Sequence, residues 1–200
     1  MDIFPAAFLK IAILLNPFAV LSTFIALTGR KSARERTAIV VRTCAAVAVA
    51  GLVVLFSGNA LLALLGLGLA PFKVGGGVIL MACSITLVWG SARNNPAAEN
   101  SDGSISVVPL AIPMALGPGA AAGLMIIGSE YTSSVATAAE NAGALLAGVA
   151  VLGAVLSLGI HAEKLLNRNA VAVVTKLTGL LLSGIAAGMI LEGARNYLAR

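Results

Sequence analysis

Two short stretches decide how this chain folds. They are Ile13-Leu14-Leu15-Asn16-Pro17-Phe18-Ala19 near the start and Ala115-Leu116-Gly117-Pro118-Gly119-Ala120 past the middle. Each sets a proline inside an apolar run. The first run, from Ile3 to Leu27, is otherwise long enough to cross a bilayer as one helix, which takes about 20 residues. Proline has no N–H to donate, and its ring collides with the carbonyl four residues back, here that of Ile13. Asn followed by Pro is also a helix start, with Asn16 as the cap and Pro17 at the first helical position. Gly117-Pro118 repeats the arrangement with glycine as the cap. Each stretch therefore reads as two half-helices with a polarised N-terminus near the middle of a membrane. Broken backbone at that depth survives only where protein or a watered cavity surrounds it, so the breaks mark a candidate site.

The rest of the chain agrees with a membrane setting. Of its 200 residues 59% are hydrophobic and only 10% charged, with a mean hydropathy of +1.01. These values lie outside the range of soluble domains. The net charge of +5 is gathered in a short connector rather than across a broad face, so nucleic acid is not an expected partner. The start, Met1-Asp2-Ile3-Phe4-Pro5, carries an acid where a secretory signal carries basic residues; the first apolar stretch is expected to remain as a span. Cys44 and Cys83 fall in apolar stretches and read as small core residues.

Hydropathy gives six spans at roughly Ile3–Leu27, Ala38–Phe56, Phe72–Ala92, Ile105–Gly128, Thr137–Ile160 and Val171–Leu191. The polar segment around Arg93-Asn94-Asn95-Pro96 is a loop. It divides the chain into two related halves, about 1–92 and 105–200, joined by 93–104 within one membrane domain. Pro17 and Pro118 lie 101 residues apart, and Lys73-Val74-Gly75-Gly76 and Lys176-Leu177-Thr178-Gly179 lie 103 apart. The expected fold is all-α, a polytopic membrane protein of six transmembrane helices in two inverted three-helix repeats, with the first and fourth helices interrupted. Three spans per unit force the second copy to enter from the opposite side, and matching interruptions point to a substrate site at the repeat interface. Arg30, Lys31, Arg34, Arg36, Arg93, Lys164 and Arg168 share one side, which the positive-inside rule makes cytoplasmic. Both termini then face outward.

A half-helix N-terminus presents unpaired N–H groups and about half a positive charge, enough to hold a carboxylate without a charged side chain. The preceding half-helix ends in freed carbonyls suited to an ammonium or a small cation. The candidate donors are the amides of Phe18, Ala19 and Val20, and those of Gly119, Ala120 and Ala121. Asn16, Ser22 and Thr23 add polar side chains. Gly119 and Gly123, like Gly184 and Gly188, have the spacing that lets membrane helices approach closely. Lys10, Lys73 and Lys176 sit near span ends and are expected to reach the interface on their long stems; Glu192 reads as interfacial too. His161, at a helix C-terminus, has a solvated or structural role. No paired nucleophile, metal-spaced cluster or phosphate-binding loop is present in the sequence. The expectation is a protein that is not an enzyme, with no catalytic or metal residues and no cofactor beyond a coupling proton or sodium ion.

Several motifs together resemble the MarC family: Asn16-Pro17 followed by Phe24-Ile25-Ala26-Leu27-Thr28; Arg34-Glu35-Arg36; Phe72-Lys73-Val74-Gly75-Gly76-Gly77; and Pro109-Leu110-Ala111-Ile112-Pro113-Met114-Ala115-Leu116-Gly117-Pro118-Gly119-Ala120. Lys176-Leu177-Thr178-Gly179 is similar to that family's last-span motif. The resemblance covers nearly the whole chain and implies a six-span inner-membrane protein of bacteria or archaea, some of whose relatives are described as transporters of glycine and alanine. The chain departs from the family where relatives often carry Gly and a further Pro shortly after Asn-Pro; here the run is Phe18-Ala19-Val20-Leu21-Ser22-Thr23. The expected function is secondary transport of a small neutral amino acid. Asn16, Pro17, Phe18, Ala19, Ser22, Thr23, Gly117, Pro118, Gly119 and Ala120 would line the site, and the partners are a small zwitterionic solute and the lipid bilayer. A membrane scaffold that oligomerises through its glycine faces, and a passive channel for small solutes, are the alternatives.

Overall fold

The computed structural model describes residues 3–29, 31–89, 115–131, 134–161 and 168–199. Among these the chain forms seven helices: α1 (Ile3–Leu14), α2 (Pro17–Thr28), α3 (Ala33–Leu64), α4 (Leu69–Trp89), α5 (Pro118–Tyr131), α6 (Val135–His161) and α7 (Arg168–Leu198). α1 and α2 together make one apolar stretch, Phe4–Thr28; with α3, α4, α6 and α7 it supplies five segments long and apolar enough to cross a membrane, and α5 is a shorter apolar helix. The chain is an all-helical polytopic membrane protein. The loop around Arg93, the half-helix expected before Gly117 (105–114) and the connector holding Lys164 lie outside the described residues.

Local chemistry sets the helix ends. α3 begins five residues earlier than hydropathy suggests because Ser32 and Glu35 form a reciprocal cap. This arrangement satisfies two otherwise orphaned backbone donors. Arg36, expected as a free topological marker, is buried, and its Nε donates to the Thr28 carbonyl at 2.9 Å. A cation there ties off the negative end of α2 and fixes the turn into α3. At the far end of α3, Gly66 (φ 66°) adopts the left-handed conformation. Its amide donates to Ala63, and that of Leu67 donates to Leu62, a glycine-dependent stop that frees α4 to turn back.

Helix directions follow from what each glycine touches. Along α6, Gly143 faces Phe4, Gly148 faces Ile11 and Leu15, and Gly159 faces Leu21, so α6 runs parallel to α1 and α2. Gly51 of α3 packs on Leu145 and Gly153 of α6 on Cys44, so α3 and α6 are antiparallel. Gly77 of α4 meets Ile190 while Gly179 of α7 meets Leu87 and Val88, so α4 and α7 are antiparallel as well. The second helices of the two halves, α3 and α6, and the third, α4 and α7, thus run in opposite directions. Among the described residues the α4–α7 pair is the most extensive packing, and it is a glycine seam in which Gly77, Gly179 and Gly193 leave no room for a Cβ without movement, while Gly76 of α4 is closed by Ala122 of α5. The other expected glycine contact is corrected here. Gly184 and Gly188 are exposed on α7 and meet nothing within 4 Å among the described residues.

Candidate functional site

The first break is as the proline demands. α1 stops at Leu14 and α2 starts at Pro17, with Asn16 between them in the left-handed region at φ 44° and ψ 62°. Asparagine tolerates this conformation better than most residues because its short amide bonds locally. Here the Asn16 Oδ1 accepts from the Ala19 amide at 3.4 Å. Asn16 and Pro17 are both buried, and the flanking Leu14, Leu15, Val20 and Leu21 all belong to the central apolar cluster. The interruption therefore faces protein, which is the setting that broken membrane backbone requires.

The second break begins α5 at Pro118. The Gly117 carbonyl accepts from the Ala121 amide at 2.9 Å, while Ala115 and Leu116 are buried on the approach. Gly119 lies against Leu80 of α4, and Gly123 lies against Leu14, the last residue of α1. The start of α5 is thereby packed on the end of α1. The small residues expected to permit close approach at Gly119 and Gly123 do so.

Not every candidate donor is available. The Ala19 and Val20 amides donate to the Asn16 carbonyl at 3.1 and 3.3 Å, and Ala121 donates to Gly117. The amides of Phe18, Gly119 and Ala120, near the starts of their helices, have no acceptor within those helices. Ser22 and Thr23 both turn their hydroxyls onto the Ala19 carbonyl, at 2.8 and 3.5 Å. Ser22 is exposed and Thr23 half-buried, so of the two only Thr23 stays with the bundle interior. Pro118 is exposed, Gly117 and Phe18 are half-buried, and Gly119 and Ala120 are buried.

Two polar features escaped the hydropathy reading. Lys73 does not reach out to an interface: it is 3% exposed, and its Nζ lies 2.9 Å from Oε1 of Glu192, which is 49% exposed. Lys10 and Lys176 are exposed, as a snorkelling lysine should be. Asn141 sits one turn before Leu145 on the buried face of α6; it is fully buried, and neither its oxygen nor its nitrogen has a partner among the described residues. It shares its stripe with the buried Leu145, Leu152 and Leu156, but α6 is apolar around its whole circumference, so nothing in the sequence marks that stripe as the inner one. Ser129 of α5 likewise has a buried hydroxyl without a partner among the described residues.

With the breaks in place, comparison with known proteins identifies the lineage. The model of the MarC family integral membrane proteins matches residues 1–198. The chain belongs to the MarC family. Among similar MarC proteins are a UPF0056 membrane protein of Methanocaldococcus jannaschii, 31% identical over 98% of this chain and 97% of the relative, and the UPF0056 inner membrane protein YhgN of Escherichia coli strain K12, 30% identical over 98% of both. A UPF0056 membrane protein of Aquifex aeolicus is 27% identical over 98% of this chain and 94% of the relative. No solved structure matches the chain.

Proposed function

We propose that this MarC protein is a secondary transporter of small neutral amino acids, glycine or alanine. The observation that carries the reading is the buried interruption at Asn16–Pro17 with the start of α5 packed against it through Leu14 and Gly123. The substrate carboxylate rests on the amides of Phe18, Gly119 and Ala120, aided by the positive ends of α2 and α5. Its ammonium takes the carbonyls freed at the end of α1 and the oxygen of Thr23. Leu14 and Leu80 press on Gly123 and Gly119, so a solute admitted between them must have a side chain no larger than a hydrogen or methyl. Alternating access comes from one repeat rocking against the other about this fixed site, coupled to a proton or sodium gradient. The protein sits in the inner membrane with both termini outside the cytoplasm, as its basic connectors direct.

Uptake of labelled glycine into proteoliposomes tests the proposal. Saturable uptake that responds to an imposed gradient is expected, and Pro118→Ala should reduce it at least tenfold while the protein stays folded. Absence of saturable uptake under either gradient, or full activity in Pro118→Ala, refutes it. A second reading, a membrane scaffold, is favoured by the bare outward glycines Gly184 and Gly188. It requires Gly188→Leu to change the oligomeric state in mild detergent and leaves the breaks without a solute.

A further inference from the structure

Away from the breaks, the start of α4 and the end of α7 border a half-open cavity of about 330 Å³ lined by Leu69, Ala70, Lys73, Asn196 and Ala199, the last two exposed. Its size is at the lower end of the range for small-molecule sites. Its walls are electrically opposite. On one side stand the buried ammonium of Lys73 and the first turn of α4, which holds no acidic residue; there Leu69 and Ala70 are the leading amides without an acceptor in the helix, since Pro71 has no N–H and Phe72 donates to the Gly68 carbonyl. On the other side are the terminal carbonyls of α7, with Glu192 one turn before Asn196. A helix N-terminus favours negative charge and a C-terminus positive charge, so both poles are set by backbone and side chain together.

We propose that this cavity is a second binding site, outside the breaks, for a small zwitterion with a carboxylate and an ammonium. The carboxylate takes Lys73 and the start of α4, and the ammonium takes Glu192 and the end of α7. The Asn196 amide, with donor and acceptor on one group, serves either pole. The Lys73–Glu192 pair sets one charge of each sign side by side, the arrangement that a ligand carrying both charges would meet. Gly119 at the second break meets α4 at Leu80, seven residues beyond Lys73, about 10 Å along the helix; the two sites are separate but lie on one helix. Duplication alone does not produce the cavity. Under the 103-residue repeat the position equivalent to Glu192 is Trp89, and Lys176 is exposed. The ligand class rests on the amino-acid reading above, whereas the cavity and its polarity do not.

The test is protection from a thiol reagent. In a Cys44→Ala, Cys83→Ala background, Ala199→Cys at the cavity rim is labelled with a maleimide in nanodiscs of neutral lipid, with glycine as the probe. Glycine should slow labelling, and acetate or methylamine alone should do so only at much higher concentration. Lys73→Met should raise the half-protecting glycine concentration at least tenfold. Asn196→Leu, an exposed change that leaves the ion pair intact, should raise it severalfold and guards against a misfolded lysine variant. No protection by glycine, or equal protection in both variants, overturns the proposal. So does slowed labelling in a second set of nanodiscs made with anionic lipid and no glycine, which would assign the cavity to a phosphate headgroup. Pro118→Ala separates the two readings: it should reduce uptake at least tenfold and leave protection unchanged. Protection in a parent protein that shows no uptake would sink the transport reading and keep this one.

Discussion

Three consecutive glycines in α4 give a test of the packing in which most of the uncertainty cancels. A Cβ on Gly75 meets nothing within 4 Å. One on Gly77 would lie 2.7 Å from Cγ1 of Ile190 and 2.9 Å from the backbone carbonyl of Ala186. The side chain of Ile190 can turn aside, but the Ala186 carbonyl moves only with α7. Ordinary contact begins near 3.4 Å, so the helix must retreat by about half an ångström. Overpacking of this kind costs about 1–3 kcal/mol. Replacing glycine by alanine in a helix also stabilises by up to about 1 kcal/mol, but that gain is common to both variants. Gly75→Ala should therefore be neutral or slightly stabilising, and Gly77→Ala less stable than it by about 1–3 kcal/mol. For a chain of this size that separates the melting temperatures by roughly 2–12 °C. Thermal unfolding of the two purified variants in the same detergent reads the difference directly. If Gly77→Ala melts at or above Gly75→Ala, the α4–α7 seam is misplaced and the helix directions drawn from it lose their support.

Three further outcomes follow from single side chains. Asn16→Ala removes the local bond to Ala19 and puts an alanine in the left-handed region; a loss of about 2 kcal/mol is expected, with Asn16→Gly costing clearly less, both by thermal unfolding. Asn141→Leu removes a buried amide that has no partner among the described residues, so it should hold or raise the melting temperature, by up to the equivalent of about 1–3 kcal/mol; a fall of that size would show that the amide is satisfied in the native protein. Arg36→Met leaves the Thr28 carbonyl without its charged donor and should cost about 1.5–3 kcal/mol, whereas Arg34→Met, on an exposed side chain, should change the melting temperature little.

What was legible in the sequence is what proline and capping residues dictate within a few positions of themselves. Asn16–Pro17 stops one helix and starts another because a missing N–H acts locally. Ser32 and Glu35 are equally local: hydropathy starts α3 at Ala38, and the cap they form starts it at Ala33. Facing was not legible. A membrane helix is apolar around its whole circumference, so no polar side reveals which stripe turns inward. Gly119 and Gly123 share the spacing of Gly184 and Gly188, yet the first pair is pressed by Leu80 and Leu14 and the second meets nothing. The fate of Lys73 depended on a residue 119 positions away, because only the return of α7 alongside α4 brings Glu192 within 2.9 Å.

That ion pair also bears on how two inverted repeats could exchange states. Were the halves identical in sequence, the states opening to either side would be related by the pseudo-twofold and equal in energy, and no state would be preferred. Every contact made on one side and lacking its counterpart biases the balance by its own free energy. Among the described residues the α4–α7 seam is tied at one end by Lys73 and Glu192. At the other end the matching lysine, Lys176, is exposed, and Trp89 stands where the acid would be. An ion pair with one member buried and the other half-exposed contributes more than the ~0–1 kcal/mol of a surface pair and less than the ~3–5 kcal/mol lost on breaking a buried one. In the alternating-access reading proposed above, a bias of about 1–3 kcal/mol would shift populations by roughly 5–150-fold toward the state closed at the Lys73 end. A zwitterion that drew Lys73 and Glu192 onto its own two charges would weaken that tie as it entered. The cavity beside the pair is therefore where a ligand would both bind and shift the balance between the two repeats.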